Sequence, residues 1–571
     1  MIIVGFLSLV LLIANFGFYL PEKMVSASVV VLYVLAAGSC VWEGYKTKLS
    51  FKSWYSFFVH HWFEALTAIY LVGYILIPQP FVSFWQFVWP DLSSQEVTIA
   101  SLGTPLSMVF FVRSVGWIRV LIKKTKIALR PPQIFILSFM APIVIGTLLL
   151  SLPKSLVVPI SWLDALFMAT SAICVTGLAV VDVSQVFSPM GKTLIAILIQ
   201  IGGLGIMTLT ITFATFFSGG IGIRERILMS DLLSEERVGE VKGLLLKICF
   251  FTFTIEILGG FGLYWASGNS IAQFDHSAFY VGLFHSISAF CNAGFSLLSQ
   301  GLYDPSLRMN YAFGSVIMVL IILGGLGFPV LANLFDLGSS WYRKKSSGRM
   351  TTSSKMALLM TAILLPLGLA VIYLIERNHS FSELPIFDQI FQSLFLSVTT
   401  RTAGFNLWPT EALSVQTGLV LIVLMWIGGS PMSTAGGVKT VTILVAALNI
   451  RSQALGVSRV EIFGRQIRPA SIQRAFSALA ISVLLILFGS VLMMVFEPQV
   501  KPIDGVFEVV SAIGTVGLSR GATGTLSVTG KSLLIFLMFA GRIGAITILS
   551  ALFAPLKSEK YKYLEDSVIV Y

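Results

Sequence analysis

Catalysis needs nucleophiles, acids, bases or metal ligands at workable spacings, and this chain offers no such group. Cys40, Cys174, Cys249 and Cys291 are scattered through apolar surroundings, which suits buried thiols and gives neither a metal site nor a disulfide framework. The five histidines show no ligand spacing, and there is no phosphate loop or nucleophile elbow. The residue whose spacing does recur is glycine. Gly177, Gly294, Gly404 and Gly517 are separated by 117, 110 and 113 residues. A Ser-Ala pair stands six and five residues before the glycine in three copies, as Ser171 and Ala172, Ser288 and Ala289, and Ser511 and Ala512; the other has Val398 and Thr399. A second landmark follows 24 to 30 residues later: Gly202-Gly-Leu-Gly205, Gly324-Gly-Leu-Gly327, Gly428-Gly-Ser-Pro431 and Gly541-Arg-Ile-Gly544.

Glycine offers no side-chain chemistry, so a recurring glycine points to the backbone. It lets the chain adopt dihedrals that most residues avoid and so turn its carbonyls toward a bound species. Rings of backbone carbonyls can replace the hydration shell of a potassium ion. A short helix leading into each glycine would aim its negative dipole end at the same cation. Four copies in one chain would supply a fourfold ring.

The elements that must position such segments are membrane helices. Of 571 residues, 56% are hydrophobic and only 11% charged. A soluble domain has roughly 25% charged residues, so a soluble enzyme, a disordered chain and a secreted disulfide scaffold are excluded. At roughly 20 residues per span, the apolar content allows on the order of 16 crossings. Charge-free runs such as Pro132 to Pro153, Met356 to Ile375 and Ala475 to Phe496 are long enough to span. The pattern reads as about twelve full spans plus four half-crossings at the glycines, because a segment that short cannot cross as a helix. Non-helical backbone at that depth is tolerated only when it is buried in protein or lines a watery cavity.

The net charge of +11 reports topology. Lys and Arg gather in six clusters, around Lys46 to Lys52, Arg113 to Arg130, Arg224 to Lys247, Arg343 to Lys355, Arg451 to Arg474 and Lys557 to Lys562, which hold 27 of the 38 basic residues. An even number of expected spans separates each cluster from the next, so the positive-inside rule puts all six in the cytoplasm and leaves a nucleic-acid role without support. Met1 to Leu20 lacks a basic start and a small-residue cleavage site, so it reads as a retained first span, followed by spans near 24–42, 56–78 and 98–122. Both chain termini are then expected in the cytoplasm.

The glycine segments carry a resemblance. Ser171-Ala-Ile-Cys-Val-Thr-Gly-Leu178, Phe290-Cys-Asn-Ala-Gly-Phe295, Arg401-Thr-Ala-Gly-Phe-Asn406 and Ser511-Ala-Ile-Gly-Thr-Val-Gly-Leu518 resemble the Trk/Ktr/HKT superfamily of potassium transporters, and within it the Ktr-type bacterial uptake subunit. The resemblance runs from about residue 131 to the end. It implies an all-α polytopic membrane protein with four parallel helix, re-entrant loop, helix repeats around a pseudo-fourfold pore, preceded here by a four-helix N-terminal bundle. The expected boundaries are 1–130 for the bundle, 131–222, 243–340, 354–452 and 471–556 for the repeats, and 557–571 for a cytoplasmic tail. It further implies a potassium-binding selectivity filter made of Cys174, Val175, Thr176 and Gly177; Cys291, Asn292, Ala293 and Gly294; Arg401, Thr402, Ala403 and Gly404; and Gly514, Thr515, Val516 and Gly517. Sodium-preferring plant relatives are similar but carry serine at the first filter glycine, so Gly177 favours potassium.

Below the third glycine, Gly428, Gly429, Ser430, Pro431, Ser433, Thr434, Ala435, Gly436 and Gly437 interrupt an apolar stretch, which reads as an unwound loop facing a cavity. The matching segment in the family is similar to an intramembrane gate, with Lys439 just after it. Arg542 lies at the equivalent depth of the fourth copy, where a cation is costly and a functional candidate. It either closes the pore with the loop, as the resemblance implies, or pairs structurally with polar groups. Glu256, within an apolar span, is a cation-route carboxylate or a helix-packing hydrogen bonder. Arg401 reads as a brace behind the filter rather than an ion contact, since a cation would repel potassium, and His285 as a packing residue behind the second re-entrant helix. In the N-terminal unit, Glu64 and Arg113 suggest a voltage-sensor-like pair or a structural pair in an accessory bundle.

The resemblance implies potassium uptake across a bacterial cytoplasmic membrane, not an enzyme activity. Potassium is the transported ion, sodium a candidate coupling or activating ion, and no covalent cofactor is expected. A homodimer in the lipid bilayer, bound to a cytoplasmic RCK-type subunit that takes nucleotide or NAD, is the implied assembly. A sodium- or proton-coupled symporter of the same fold and a non-conducting regulatory membrane protein are the alternatives.

Overall fold

The computed structural model describes residues 2–50, 62–88, 93–125, 131–217, 241–268, 278–305, 307–342 and 350–553. The tail 557–571, the side chains of Glu64 and Arg113, and most of the basic clusters other than Arg451 to Arg474 lie outside the described residues. The protein is built from helices; among the described residues the only β-strands are Glu461–Ile462 and Arg465–Gln466, which pair as a hairpin, beside two isolated bridges, Leu156 with Phe187 and Ile427 with Val438. Four helices are long and apolar enough to cross a membrane, within 22–42, 247–267, 352–376 and 469–496, and two bent helix pairs pass the same test.

Among its described residues the N-terminal unit has four longer helices, Ile2–Gly17, Glu22–Ser50, Trp62–Leu76 and Ser94–Thr125, plus a short one, Gln79–Val88, that the expected four spans do not include. The first helix packs along the last so closely that a Cβ on Gly103 would strike Leu12. Lys154 ties this unit to the rest of the chain, donating to the Asn15 carbonyl at 2.8 Å and pairing with Glu96 at 3.2 Å.

From residue 131 onward one order of elements recurs. A long helix (Pro131–Leu150, Val241–Ser267, Thr352–Glu376, Pro469–Phe496) precedes a short inner helix (Trp162–Ile173, Ala278–Phe290, Ile386–Thr399, Pro502–Gly514). A largely irregular segment with one short helical turn (Val183–Val186, Gly301–Tyr303, Thr410–Ala412 and Thr523–Thr525) and a second helix, starting at Pro189, Tyr311, Val415 and Val528, follow. Caps set several starts: Ser161, Asn310, Ser414 and Ser527 each accept a backbone N–H three residues on, satisfying a donor that the first helical turn leaves free. The inner helices are almost wholly buried, whereas the long helices keep most of their apolar surface outward.

The second helices depart from simple spans. The helix Tyr311–Leu326 turns by 100° into Phe328–Tyr342, and Val528–Ile543 turns by 92° into Ala545–Leu552. Gly327 and Gly544 stand at the breaks with φ of 87° and 88°, a conformation that costs glycine little. The third second-helix stops at Trp426, gives way to the 427–439 loop, and resumes as Thr440–Ala454.

Neighbouring units are latched at their outer ends. Thr193 bonds Tyr280 at 2.9 Å, the Tyr311 hydroxyl donates to Asp388, and Arg520 donates to the Thr410 and Leu413 carbonyls while pairing with Asp504 at 2.7 Å. Lys531 pairs with Asp164 at 2.6 Å and closes the fourth unit on the first, a joint that no chain segment spans. Two buried carboxylates do the same work within a unit. Glu376 accepts from the Ser414 amide at 3.0 Å, and Glu497 accepts from the Ser527 amide at 2.9 Å and from its hydroxyl, so each acid holds the start of the second helix against the end of the first. Glu497→Ala removes the acceptor for both groups, and because Ser527 is exposed to solvent the loss is about 0.5–1.5 kcal/mol per hydrogen bond. The expected outcome is a lower Tm in detergent, read by loss of monodisperse protein on heating.

A ring of glycine segments above a buried loop

The four glycine segments meet. A Cβ built on Gly177 would collide with the Ala293 carbonyl oxygen; on Gly294, with that of Ala403 at 2.6 Å; on Gly404, with that of Val516 at 2.5 Å; and on Gly517, with that of Thr176. Each glycine thus abuts the carbonyl that precedes the next glycine, and the ring closes in chain order. No Cβ fits, and the backbone forbids one independently, since φ is 90°, 68°, 76° and 91° at the four positions.

The conformation alternates along each segment. Val175, Asn292, Thr402 and Thr515, two residues before each glycine, also have positive φ, from 49° to 66°, while the residue between does not. Reversing the dihedral sign on alternate residues faces successive peptide groups the same way, so carbonyls can line one side while amides face the other. The amides are held from behind. The Thr176 and Gly177 N–H groups donate to the carbonyl and hydroxyl of Ser171 at 2.8 and 3.1 Å, and Val516 and Gly517 do the same to Ser511. In the second segment Ser288 donates to the Phe295 carbonyl at 2.8 Å, and in the third Thr399 donates to the Phe405 carbonyl at 2.7 Å. The Ser-Ala landmark is therefore a brace, and Thr399 replaces the missing serine one position along. The inner helices end at Ile173, Phe290, Thr399 and Gly514, three to five residues before the glycines, so four helix C-termini with their partial negative charge approach the ring.

The second glycine landmark explains itself by contact. A Cβ on Gly202, Gly324 or Gly541 would collide with the carbonyl oxygen of Ile173, Phe290 or Ile513, the residue four before the ring glycine. In the third unit Gly428 instead meets the Gly436 carbonyl, because the loop doubles back there. Its two arms are zipped together by Gly428 N–H to Val438 at 2.9 Å and Val438 N–H to Trp426 at 3.1 Å.

That loop touches the second and fourth units as well as its own. Gly436 N–H donates to the Thr402 hydroxyl at 3.2 Å, and a Cβ at Gly436 would collide with the Thr515 hydroxyl. The Thr434 hydroxyl donates to the Phe290 carbonyl at 3.1 Å, and Ser430 N–H to Gly325 at 2.9 Å. Pro431 faces Gly327, Met432 accepts from Phe328 N–H at 3.2 Å, and Ser433 closes an internal turn onto the Ser430 carbonyl. Lys439 Nζ donates to the Ala435 and Gly436 carbonyls at 2.7 and 3.4 Å. Arg542 completes the enclosure, donating through Nη1 to the Thr434 carbonyl and through Nη2 to the Gly202 carbonyl at 2.8 Å. One guanidinium thus ties the loop to the first unit from the fourth.

Other singled-out residues sit around this centre. Cys174, Cys291, Ala293 and Ala403 are buried with the ring. The Arg401 carbonyl accepts from Asn292 Nδ2 at 3.3 Å, but Nε and Nη2 of its buried guanidinium have no hydrogen-bond partner among the described residues, so the expected bracing bond is not made by either. His285 bonds the Val281 carbonyl at 2.8 Å and Ser296 Oγ at 3.0 Å, spanning the second inner helix and the segment after Gly294. The Cys291 thiol donates to Glu256 at 3.6 Å, and Ser286 bonds the Glu256 carbonyl at 2.7 Å. Glu256 thus holds hydrogen bonds to the second segment and its inner helix, the contacts a helix-packing role requires. Glu256→Gln keeps an oxygen acceptor for the thiol, so rubidium uptake is expected to stay near wild type; a collapse of uptake would instead mark the carboxylate charge as part of the ion route.

The family model described as cation transport protein TrkH matches residues 107–563. The chain is 36% identical to the Ktr system potassium uptake protein B of Bacillus subtilis over 445 residues, covering 77% of this chain and 96% of the relative. It is 35% identical to the potassium/sodium uptake protein NtpJ of Enterococcus hirae, covering 78% and 99%. The crystal structure of the potassium transporter TrkH from Vibrio parahaemolyticus is similar in fold, with a TM-score of 0.61 at 17% identity over 93% of this chain and 98% of that one.

Proposed function

Since the chain belongs to the TrkH family of cation transport proteins, we propose that it takes up potassium through the ring formed by Gly177, Gly294, Gly404 and Gly517. The observation that carries this reading is the closed succession of glycines, each against the next segment's carbonyl, with alternating backbone sign. Carbonyls so arranged can exchange for the water around a dehydrating cation. The sixteen residues from the third position before each glycine through the glycine itself are the proposed filter. The 428–437 loop with Lys439 and Arg542 is the proposed gate, because it lies against the ring and is held by hydrogen bonds that a moving loop would have to break.

Inward movement follows the membrane potential, worth about 2.3 kcal/mol per charge per 100 mV. The cytoplasmic side is that of the Arg451 to Arg474 cluster, where the exposed Glu461–Gln466 turn offers a surface for a regulatory RCK-type subunit. The word "system" in the relative's name supports a multi-component assembly, and a homodimer of this chain is part of the same proposal. Sodium as a coupling or co-transported ion is the second reading, favoured by the similarity to the Enterococcus potassium/sodium uptake protein.

Cells lacking their own potassium uptake test the assignment. Wild-type chain, co-expressed with a Ktr-type regulatory subunit, is expected to restore growth on low potassium, and Gly294→Ser to restore less. Failure of the wild type while it is present in the membrane overturns potassium uptake, and growth that depends on added sodium selects the second reading.

A further inference from the structure

The third and fourth units enclose an apolar cavity of about 180 Å³ beside the loop. Its inner wall is the Gly437, Val438 and Lys439 arm, and its outer wall is Ala478, Ile481 and Leu485 of the long helix Pro469–Phe496. The break at Gly544 forms one side, and Ile546, which lines the cavity, is 44% exposed, so the mouth opens on the outer surface. That surface is apolar: Leu484, Leu487 and Phe488 of the same long helix are exposed, and the helix is one of the four able to cross a membrane.

Thr442 offers the wall one hydroxyl, short of the two to four polar partners a water needs, and the other polar side chains are occupied elsewhere. Trp426 Nε1 donates to Ser482 Oγ at 3.0 Å, Ser482 Oγ donates to the Leu479 carbonyl at 2.8 Å, and Lys439 Nζ donates to the two loop carbonyls. Water needs two to four polar partners to stay, and an apolar cavity of about 150 Å³ remains dry and admits benzene. A dry cavity open to a lipid-facing surface is continuous with the hydrocarbon of the bilayer.

We propose that this cavity takes an acyl chain of a membrane lipid, which packs against the Gly437 to Lys439 arm and holds the loop against the ring. The effect on ion flow rests on the reading of the loop as a gate; the binding does not. Lipid occupancy would then disfavour opening, because an arm buttressed from the side has less room to withdraw.

The test uses the full chain in phosphatidylcholine vesicles with or without bromine on the acyl chains, bromine being a contact quencher of tryptophan. The difference between wild type and Trp426→Phe isolates the emission of Trp426, which lines the cavity. Brominated chains are expected to quench that emission, and Ala478→Leu, which fills the cavity from the outer wall, to abolish the quenching. Ala545→Leu fills it from the opposite side and gives the same result should Ala478→Leu fail to fold. Unquenched Trp426 in the wild type, or equal quenching in a folded filled variant, overturns the proposal. The quenching requires no ion movement, so failure of the potassium assignment would appear only in flux. With binding shown, rubidium flux in a filled variant is expected to be no higher than wild type; a rise overturns the buttressing role.

Discussion

Gly517→Ala is expected to lower potassium uptake by about tenfold or more, the equivalent of about 1.4 kcal/mol at the ion site. Two independent penalties act at this position. At φ 91° an alanine is strained whatever the surrounding space, at about 1–3 kcal/mol. Its Cβ would also collide with the Thr176 carbonyl oxygen and lie 3.0 Å from the Gly177 Cα, both of them backbone atoms that no rotamer change can move. The strain is relieved only by displacing the carbonyl that the ring needs. Gly524→Ala is the control: it lies seven residues on, has no positive φ, and would meet nothing within 4 Å. Uptake of radioactive rubidium, normalised to the amount of protein in the membrane, reads the difference. Equal uptake by both variants would remove the ring from the ion path.

Arg542→Ala acts in the opposite direction. The guanidinium donates to the Thr434 carbonyl of the loop and to the Gly202 carbonyl of the first unit, and so bridges elements that must separate if the loop moves. Hydrogen bonds from a charged group contribute about 1.5–3 kcal/mol each, so losing one on opening is enough to shift the closed-to-open ratio by about tenfold. Removing the cation also removes a repulsive charge from beneath the ring. Resting rubidium flux through Arg542→Ala is expected to rise about tenfold. Arg542→Lys, which keeps the charge but cannot reach both carbonyls with a planar fork, should fall between the two. Unchanged flux in Arg542→Ala would reduce Arg542 to a structural tie.

The ring was legible because glycine there answers two demands at once, a left-handed backbone and the absence of a Cβ, and no other residue type meets both. The serine six before the glycine was legible as a recurrence, though its task as a brace for the amides required the distances to Ser171 and Ser511. The unequal fate of similar motifs was not legible. Gly202-Gly-Leu-Gly205 stays inside one helix, whereas Gly324-Gly-Leu-Gly327 ends in a bend, because the Met432 carbonyl of the loop is there to accept the freed Phe328 amide. Glu376 and Glu497 escaped notice for a related reason. A lone acid at the end of an apolar run resembles an interfacial charge, and its partner serine lies 38 or 30 residues away. The available signal was the repetition itself, an acid ending the first helix and a capping serine starting the second in two successive units.

Crystals of the full chain grown in rubidium, with anomalous scattering recorded at the rubidium edge, address the central claim most directly. The account predicts a rubidium peak inside the ring, within coordinating distance of the Thr176, Ala293, Ala403 and Val516 carbonyl oxygens, that disappears in Gly517→Ala. Rubidium bound elsewhere in the protein, with an empty ring, would contradict it.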